Sequence, residues 1–567
     1  MTEPIARTPS PASTAPPEKR RPIKHWVFWP AAILAVGFVA FTLIAPDAAE
    51  AGFGAVQSEI IAWFNWYYVL IAAFFVAFGL WAAFSRYGRI KLGKDDDEPE
   101  FGYRSWFALL FAAGMGIGLV FWGVAEPLNH LANPRPGVEG TDVELAQAAM
   151  SQTYLHWGVH AWAIYVALGL ALAYAIHRRG RPISVRWTLE PLFGKKVKGG
   201  LGNLIDVVAL VGTLFGVATS LGLGVLQIGS GLEAAGIAES NDVTLVAVII
   251  VISIAVLASV LSGINRGMKW LSNINLALAG FLVVFLLVVG PTQFLLRQFV
   301  QSIGNYLGDF IALSFTVSAF AGAEGEAWQA GWTSFYWGWW IAWAPFVGIF
   351  IARISKGRTV REFVVGVMLV PTIITFLWFS VLGGTAIHTE LYGAGGLIDA
   401  DGGVDTEGSL FAVLGSAPGG AALILGAILL ISIFFVTSAD SGSLVMGMLA
   451  TGGDPEPRRW VRAFFVAVVA LLAISLLLVG GLGALQTASI IAALPFSIVL
   501  LLACASLVVA FRKEGRLADR AERAELVDEI GDHYGLEVEP ELGGSDGMVP
   551  AGGVAAETTA HAPDDRT

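Results

Sequence analysis

Apolar runs separated by short polar breaks dominate this chain, and most are as long as a bilayer is thick. A hydrocarbon core of about 30 Å needs roughly 20 consecutive apolar residues in a helix. Twelve candidate spans fall near residues 26–46, 60–85, 104–130, 148–177, 201–235, 243–263, 270–290, 333–354, 362–386, 409–450, 460–481 and 484–511. The pattern predicts an all-α polytopic membrane protein. Segment 293–311 is different: Arg297, Gln301 and Asp309 interrupt apolar residues at helical spacing, which predicts an amphipathic helix lying in the interface.

Three regions follow from this pattern. Residues 1–25 are rich in Pro, Ser, Thr and Ala, end in the basic run Lys19, Arg20, Arg21 and Lys24, and read as a disordered tail. Residues 26–511 form the membrane domain. Residues 512–567 open as a charged helix (RKEGRLADRAERAELVDEIGDHYG), with both signs at i,i+4 spacing, and turn disordered from about Gly543. No cleavable signal is evident, because the first apolar run begins at Trp26 after a polar tail.

Lys and Arg crowd the loops after even-numbered spans: Arg86, Arg89, Lys91 and Lys94; then Arg178 to Lys198; then Arg266 and Lys269; Arg353 to Arg361; and Arg458 with Arg459. The intervening loops at 47–59, 236–242, 387–408 and 482–484 carry none. The positive-inside rule then places both termini in the cytoplasm, with the cell membrane as the location.

Composition sharpens the class. The chain of 567 residues is 56% hydrophobic and 14% charged, against about 25% charged in soluble proteins. The net charge of −11 reflects acidic tails and loops, and the absence of a basic patch argues against nucleic acid as a partner. A single cysteine, Cys504, excludes an intramolecular disulfide and a thiolate metal cluster.

Two tryptophan-rich stretches carry the chemistry: HWGVHAWAIY (His156 to Tyr165) and FYWGWWIAW (Phe335 to Trp343). Interfacial belts place Trp near the ends of spans, not at mid-helix. Clustered ring faces away from water suit a cation that cannot be hydrogen-bonded, such as a quaternary ammonium. On a continuous helix, Trp157 and Trp162 would be spread by about 140° while Trp162 and Tyr165 share a face, as do Trp340 and Trp343. Core packing is the plain alternative for each ring taken singly.

Gly114, Gly116 and Gly118 alternate within FAAGMGIGLVFWGVAEP. Each glycine costs a helix roughly 1 kcal/mol against Ala, so three together predict a broken span whose freed carbonyls line a cavity. Close packing through small residues is the alternative. Glu126, before Pro127, reads as a cap or gate near the outer end. Asp440 sits among Thr437, Ser438, Ser441 and Ser443, a hydroxyl cluster that serves either as interhelical glue or as a hard-cation site. Glu324 and Glu326 lie in a polar approach to the eighth span. His156 and His160, at i,i+4, have metal-ligand spacing, but no second histidine pair is evident at membrane depth.

The strings GMGIGLVFWGVAEP, HWGVHAWAIY, FYWGWWIAWAPFVGIFIARISKGRTVREF and FFVTSADSGS together resemble the betaine/choline/carnitine transporter family, over roughly residues 26–512. The resemblance implies twelve transmembrane helices. Spans 3–7 and 8–12 would form two inverted five-helix repeats of the leucine-transporter type, at about 104–290 and 333–511. It also implies a homotrimer working by alternating access, with no catalysis and no cofactor beyond sodium as coupling ion. Carried over by motif, the substrate box would comprise Trp157, Trp162, Tyr165, Trp339, Trp340 and Trp343. Gly118, where choline carriers tend to have Asp, fits a zwitterion. A sodium site would use the carbonyls of Ala112, Met115 and Phe434 with the hydroxyls of Thr437 and Ser438. Thr213 and Phe346 resemble parts of a second sodium site, although Val217 stands where a threonine would be expected. Osmosensing members of the family have a strongly basic C-terminal helix, and the mixed charges of 512–530 depart from it. These features imply a sodium-coupled importer of a compatible solute, glycine betaine first and ectoine or a related zwitterion next. A proton-coupled choline/carnitine-type carrier or a sodium-independent exchanger of the same fold is the alternative.

Overall fold

The computed structural model of the protein describes residues 21–114, 116–262 and 265–534, with the side chains of 111–114, 265–269 and 531–532 outside that description. Eighteen α-helices follow one another: α1 (His25–Ile44), α2 (Pro46–Phe84), α3 (Tyr103–Gly114), α4 (Ile117–Ala132), α5 (Asp142–Trp157), α6 (Val159–Ala173), α7 (Glu190–Phe193), α8 (Gly200–Ala234), α9 (Asp242–Ser262), α10 (Asn265–Val289), α11 (Thr292–Gly308), α12 (Phe310–Phe315), α13 (Gly322–Gly331), α14 (Thr333–Arg353), α15 (Val360–Tyr392), α16 (Ser409–Ser416), α17 (Gly420–Ala450) and α18 (Arg459–Tyr534). Among the described residues, extended pairing is limited to the bridges Lys91–Thr359 and Ile398–Val404. The all-α polytopic expectation stands.

Among the described residues, ten helical segments are long and apolar enough to cross a membrane, α5 with α6 and α13 with α14 each counting as one. The span expected at 104–130 falls on α3 and α4, each too short to cross alone. Those expected at 460–481 and 484–511 lie on α18, whose backbone leaves helical geometry at Gly480 (φ −166°) and Gly481 (φ 54°, ψ −132°). A positive φ is cheap only for glycine, so this pair is where the helix kinks.

Three loops expected from polarity are wholly or partly helical. Residues 47–59 belong to α2, which starts with Pro46 in its first turn and Asp47 near its positive end. Ala, Glu and Gln supply helix propensity there despite Gly52 and Gly54. Residues 387–392 extend α15, and 482–484 continue α18. The amphipathic segment at 293–311 forms α11 and the start of α12. Glu324 and Glu326 are exposed on α13. The structure does not describe residues 1–20 or the segment from Gly543.

Burial sorts the helices. The apolar windows of α5–α6 and α13–α14 are 89% buried, whereas those of α9 and α10 are 28% and 22% buried. The latter expose Ile250, Val251, Ile254, Phe281, Val284 and Val288, as a lipid-facing surface would. The inner helices pack in a self-similar way. Helix α4 packs on α15 and α14 on α6, α8 packs on α17, and α4 and α14 each contact both α8 and α17. Exchanging α4 with α14, α6 with α15, and α8 with α17 maps this set of contacts onto itself, as two structural repeats would.

Local chemistry sets the ends of the site-bearing helices. Thr141 and Glu144 form a capping box that starts α5, and Thr359 with Glu362 does the same for α15. Arg358 lies over the rings of Tyr103 (4.1 Å) and Trp106 (4.7 Å) and donates to the Phe101 carbonyl at 2.6 Å, which ties the α14–α15 connection to the start of α3. Asp206 on α8 is fully buried and pairs with Arg186 at 2.5 Å, with Ser184 donating to it at 2.7 Å. From Arg512 the chain belongs to a second unit, whose described part to Tyr534 is helical and largely exposed.

Candidate functional site

Two helix breaks build the site. The first separates α3 from α4, with Gly116 in extended geometry (φ −154°, ψ −179°) as the cap of α4. It was expected from the glycine pattern. The second, at Gly158 (φ −95°, ψ −136°), divides α5 from α6 and was not foreseen. An ended helix leaves its last carbonyls without helical partners. Side chains take two of them: Trp340 Nε1 donates to the His156 carbonyl at 2.9 Å, and Thr375 Oγ1 donates to the Trp157 carbonyl at 3.1 Å.

All seven residues expected to hold the substrate line one cavity: Gly118, Trp157, Trp162, Tyr165, Trp339, Trp340 and Trp343. Gly116, Leu119, Ala161 and Thr375 complete the lining. The cavity measures about 30 Å³. Each aromatic residue is at least nine-tenths buried. Trp157 meets Trp340 edge to face at 4.9 Å, Trp339 stacks on Trp340 at 4.6 Å, and Trp162 meets Tyr165 edge to face at 5.4 Å. Four indole N–H groups are directed elsewhere: besides Trp340, Trp339 donates to Ser220 Oγ at 3.1 Å, Trp343 to the Gly216 carbonyl at 3.0 Å, and Trp157 to Glu126 Oε2 at 2.6 Å. Bonding the N–H groups outward fixes the rings and leaves π faces toward the cavity. Among the described residues, no Asp, Glu, Lys or Arg lines it.

Gly118 is needed for this closeness. A Cβ there would lie 2.3 Å from Trp339 Cη2 and 3.1 Å from Trp157 Cη2. The break at Gly158 also explains how Trp157 and Trp162 share one cavity. They lie on different helices, so the angle of a continuous helix does not apply.

Glu126 closes one side of the box. It is fully buried. Oε1 lies 2.6 Å from His156 Nδ1 and 3.4 Å from His130 Nε2, while Oε2 accepts from Trp157 Nε1 and from the Tyr336 hydroxyl. His156 also reaches Thr333 Oγ1 at 3.0 Å. Sequence reasoning placed Glu126 as a cap or gate but missed its partners, which come from α5 and α14. Glu126, His130 and His156 bring ligand atoms within 4.8 Å of one another. Glu126 already faces four neighbours, so the group reads as a hydrogen-bonded network. The i,i+4 spacing of His156 and His160 does not build a site, in line with the sequence reading: His160 stacks with Trp337 at 5.5 Å and packs on Phe310.

A second cavity, of about 230 Å³, adjoins the box through Trp343. Phe346, Phe434, Thr437, Ser438, Ser441 and Asn275 are among its lining residues. Phe434, Thr437 and Ser438, three of the five residues assigned to the first sodium site, line this cavity, where the Thr437 hydroxyl donates along its own helix to the Ile433 and Phe434 carbonyls at 2.9 and 3.2 Å. Met115 lies outside the described residues, and Ala112, in the last turn of α3, is among those without a described side chain. Thr213 is fully buried on α8, with its hydroxyl bonded to the Ala209 carbonyl at 2.7 Å, and does not share this lining with Phe346. Val217 packs beside Gly442 of α17. Asp440 is outside this lining and pairs with Arg462 at 3.1 Å.

Comparison with known proteins is consistent with this geometry. Residues 26–516 match the profile of the BCCT, betaine/carnitine/choline family transporter. An uncharacterized transporter of Mycobacterium tuberculosis is 48% identical over 497 residues, covering 87% of this chain and 83% of its own. The glycine betaine transporter OpuD of Bacillus subtilis is 44% identical, covering 88% of this chain and 96% of its own. The betaine/ectoine transporter LcoP of Corynebacterium glutamicum is 38% identical, covering 91% and 83%.

Proposed function

The chain belongs to the betaine/carnitine/choline transporter family, and on that premise we propose that it imports a zwitterionic compatible solute, glycine betaine first, by sodium-coupled alternating access for osmoprotection. The observation that carries the reading is the uncharged aromatic cavity between two broken helices. A trimethylammonium group has no N–H to donate, so π faces are the partners it can use. Each desolvated contact contributes up to about 2 kcal/mol, which offsets part of the dehydration. A substrate with its own carboxylate needs no acidic residue in the box, and Gly118 supplies none.

Support for sodium comes from the adjoining cavity, whose lining includes Phe434 and the hydroxyl-bearing Thr437 and Ser438. Sodium prefers such hard oxygen ligands. One ion moving down a tenfold gradient and about 100 mV supplies roughly 3.7 kcal/mol, enough for a solute gradient of roughly 500-fold. The same reading takes twelve crossings with cytoplasmic termini and a homotrimer. In it, α3–α4 count as one span and α18 as two.

Glu126 and its two histidines favour a second reading, a proton-coupled carrier of the same fold. Uptake of labelled glycine betaine into proteoliposomes separates the two. Accumulation driven by an inward sodium gradient, blocked by ectoine but not choline, supports the sodium–zwitterion reading. Accumulation driven by an acid exterior without sodium moves the coupling to protons. Uptake of choline or carnitine in place of betaine overturns the substrate.

A further inference from the structure

A cavity of about 290 Å³ lies where three stretches of chain meet: the segment before α1, the connection from α6 to α8, and the end of α17. Arg21 and Lys24 line it from the first, Arg186 and Lys198 from the second, and Gly452 from the third. Two of these cations end the basic run of the N-terminal tail. The other two are far away in sequence, so the fold alone gathers the four.

The junction is tied together by its backbone. The Lys24 N–H donates to the Ala450 carbonyl at 2.9 Å and the Arg21 N–H to Asp454 Oδ2 at 3.0 Å, while the Arg21 guanidinium donates to the Gly452 carbonyl at 3.3 Å. Gly453 (φ 97°) packs closely on the α6–α8 connection, where a Cβ would lie 2.6 Å from Ile183 N. Arg186 is 5% exposed and is held by Asp206 at 2.5 Å and Asn203 Oδ1 at 2.9 Å. Among the described residues, by contrast, nothing pairs with the ammonium groups of Lys24 and Lys198.

Among the described residues, no Asp or Glu lines the cavity. Asp206 and Asp454, buried against Arg186 and Arg21, offset two of the four positive charges and leave two unbalanced. A concave site lined by one sign of charge focuses its field and draws counter-ions. Phosphate oxygens match this set, because Arg meets them as a planar fork and Lys as a point charge. The apolar part of the lining is Trp187 with Pro22 and Pro182, and among the described residues no Leu, Ile, Val, Met or Phe joins them. Acyl chains leave water only against apolar surface, so the lining favours a soluble anion over a phospholipid.

We propose that this cavity binds the phosphate groups of a soluble anion of the pyrophosphate or nucleoside-polyphosphate class. Lys24 and Lys198 supply the uncommitted charges, Arg21 and Arg186 the fixed ones. Arg181 stacks over Trp187 at 5.3 Å and steadies the flat wall beside them. A bound anion ties the N-terminal segment to the end of α17, which carries Thr437 and Ser438. It also ties both to the connection leaving α6, which carries Trp162 and Tyr165. The site goes beyond the transport reading and rests on that reading only for its cytoplasmic address.

Equilibrium binding of labelled pyrophosphate and labelled ATP to the purified full chain in detergent tests this. Binding should be saturable and should weaken as ionic strength rises. Lys24→Gln with Lys198→Gln should weaken it tenfold or more, roughly the loss of one charged contact at the least. Lys195→Gln with Lys196→Gln changes two exposed lysines of the same connection that lie outside the lining, and should leave binding within about twofold. Pyrophosphate should raise the melting temperature of the native chain more than that of the Lys24/Lys198 variant. Melting without the anion checks that each variant is folded. Equal loss in the two lysine pairs would mean diffuse attraction and overturn the site, as would the absence of saturable binding. Binding of phosphatidylglycerol from mixed micelles, with neither soluble anion bound, would overturn the soluble class. The measurement needs no transported solute, so a failure of betaine uptake and a failure of this site are told apart.

Discussion

Trp340 donates its indole N–H to the backbone carbonyl of His156 at 2.9 Å. Through this bond α14 fixes its ring against the end of α5, on a carbonyl that the break at Gly158 sets free. The rigidity of the box thus depends on a defect in a neighbouring helix.

Replacing Trp340 separates the two roles of the ring. Trp340→Leu removes the π face and should raise the apparent KM for glycine betaine roughly 30-fold, the equivalent of one desolvated contact of about 2 kcal/mol. Trp340→Phe keeps a face and loses the bond, so its KM should rise by about threefold to tenfold. Initial-rate uptake, normalised to protein in the membrane, provides the comparison. Equal KM values for the two variants and the native protein would remove Trp340 from the site.

Gly118→Ala tests close approach. The added methyl would overlap Trp339, whereas the same change at Gly116 meets only Trp343 Cη2 at 3.6 Å, an ordinary contact. Overpacking of this kind costs about 1–3 kcal/mol. Betaine uptake should fall more than tenfold for Gly118→Ala and much less for Gly116→Ala. The reverse order in transport assays would show that Trp339 yields easily and that the box is looser than its geometry.

Glu126→Gln turns one acceptor oxygen into a donor among four partners, so a buried polar group loses its match. Such mismatches cost about 1–3 kcal/mol. Thermal unfolding in detergent should move down by several degrees, and KM should rise because Trp157 loses its anchor. Sodium-driven accumulation should persist. A variant that folds and binds but no longer accumulates betaine would make Glu126 a proton carrier.

Thr437→Ala combined with Ser438→Ala removes two hydroxyls from the larger cavity. The sodium concentration for half-maximal uptake should rise by more than tenfold, each charged hydrogen-bond-like contact counting about 1.5–3 kcal/mol. Betaine saturation measured at high sodium should change far less. An unaltered sodium response would return both hydroxyls to interhelical packing.

The sequence by itself determined the class, the approximate spans and the broken third span, and it picked out the aromatic residues that the structure gathers around one cavity. Apolar length, glycine clustering and mid-span tryptophan are local properties, and each has a direct physical consequence in lipid. Even Gly118, eight residues from its nearest recognisable charge, could be singled out from the motif around it. What tertiary structure decided was which groups meet. The break at Gly158 was invisible because a lone glycine in an apolar run is compatible with a helix. It becomes a break only where Tyr154, Phe376 and Thr375 surround it. The partners of Glu126 come from 30, 31 and 210 residues away. Hydrogen bonds over such separations leave no periodic trace in the chain, and only the packing of α4 against α5 and α14 brings them about.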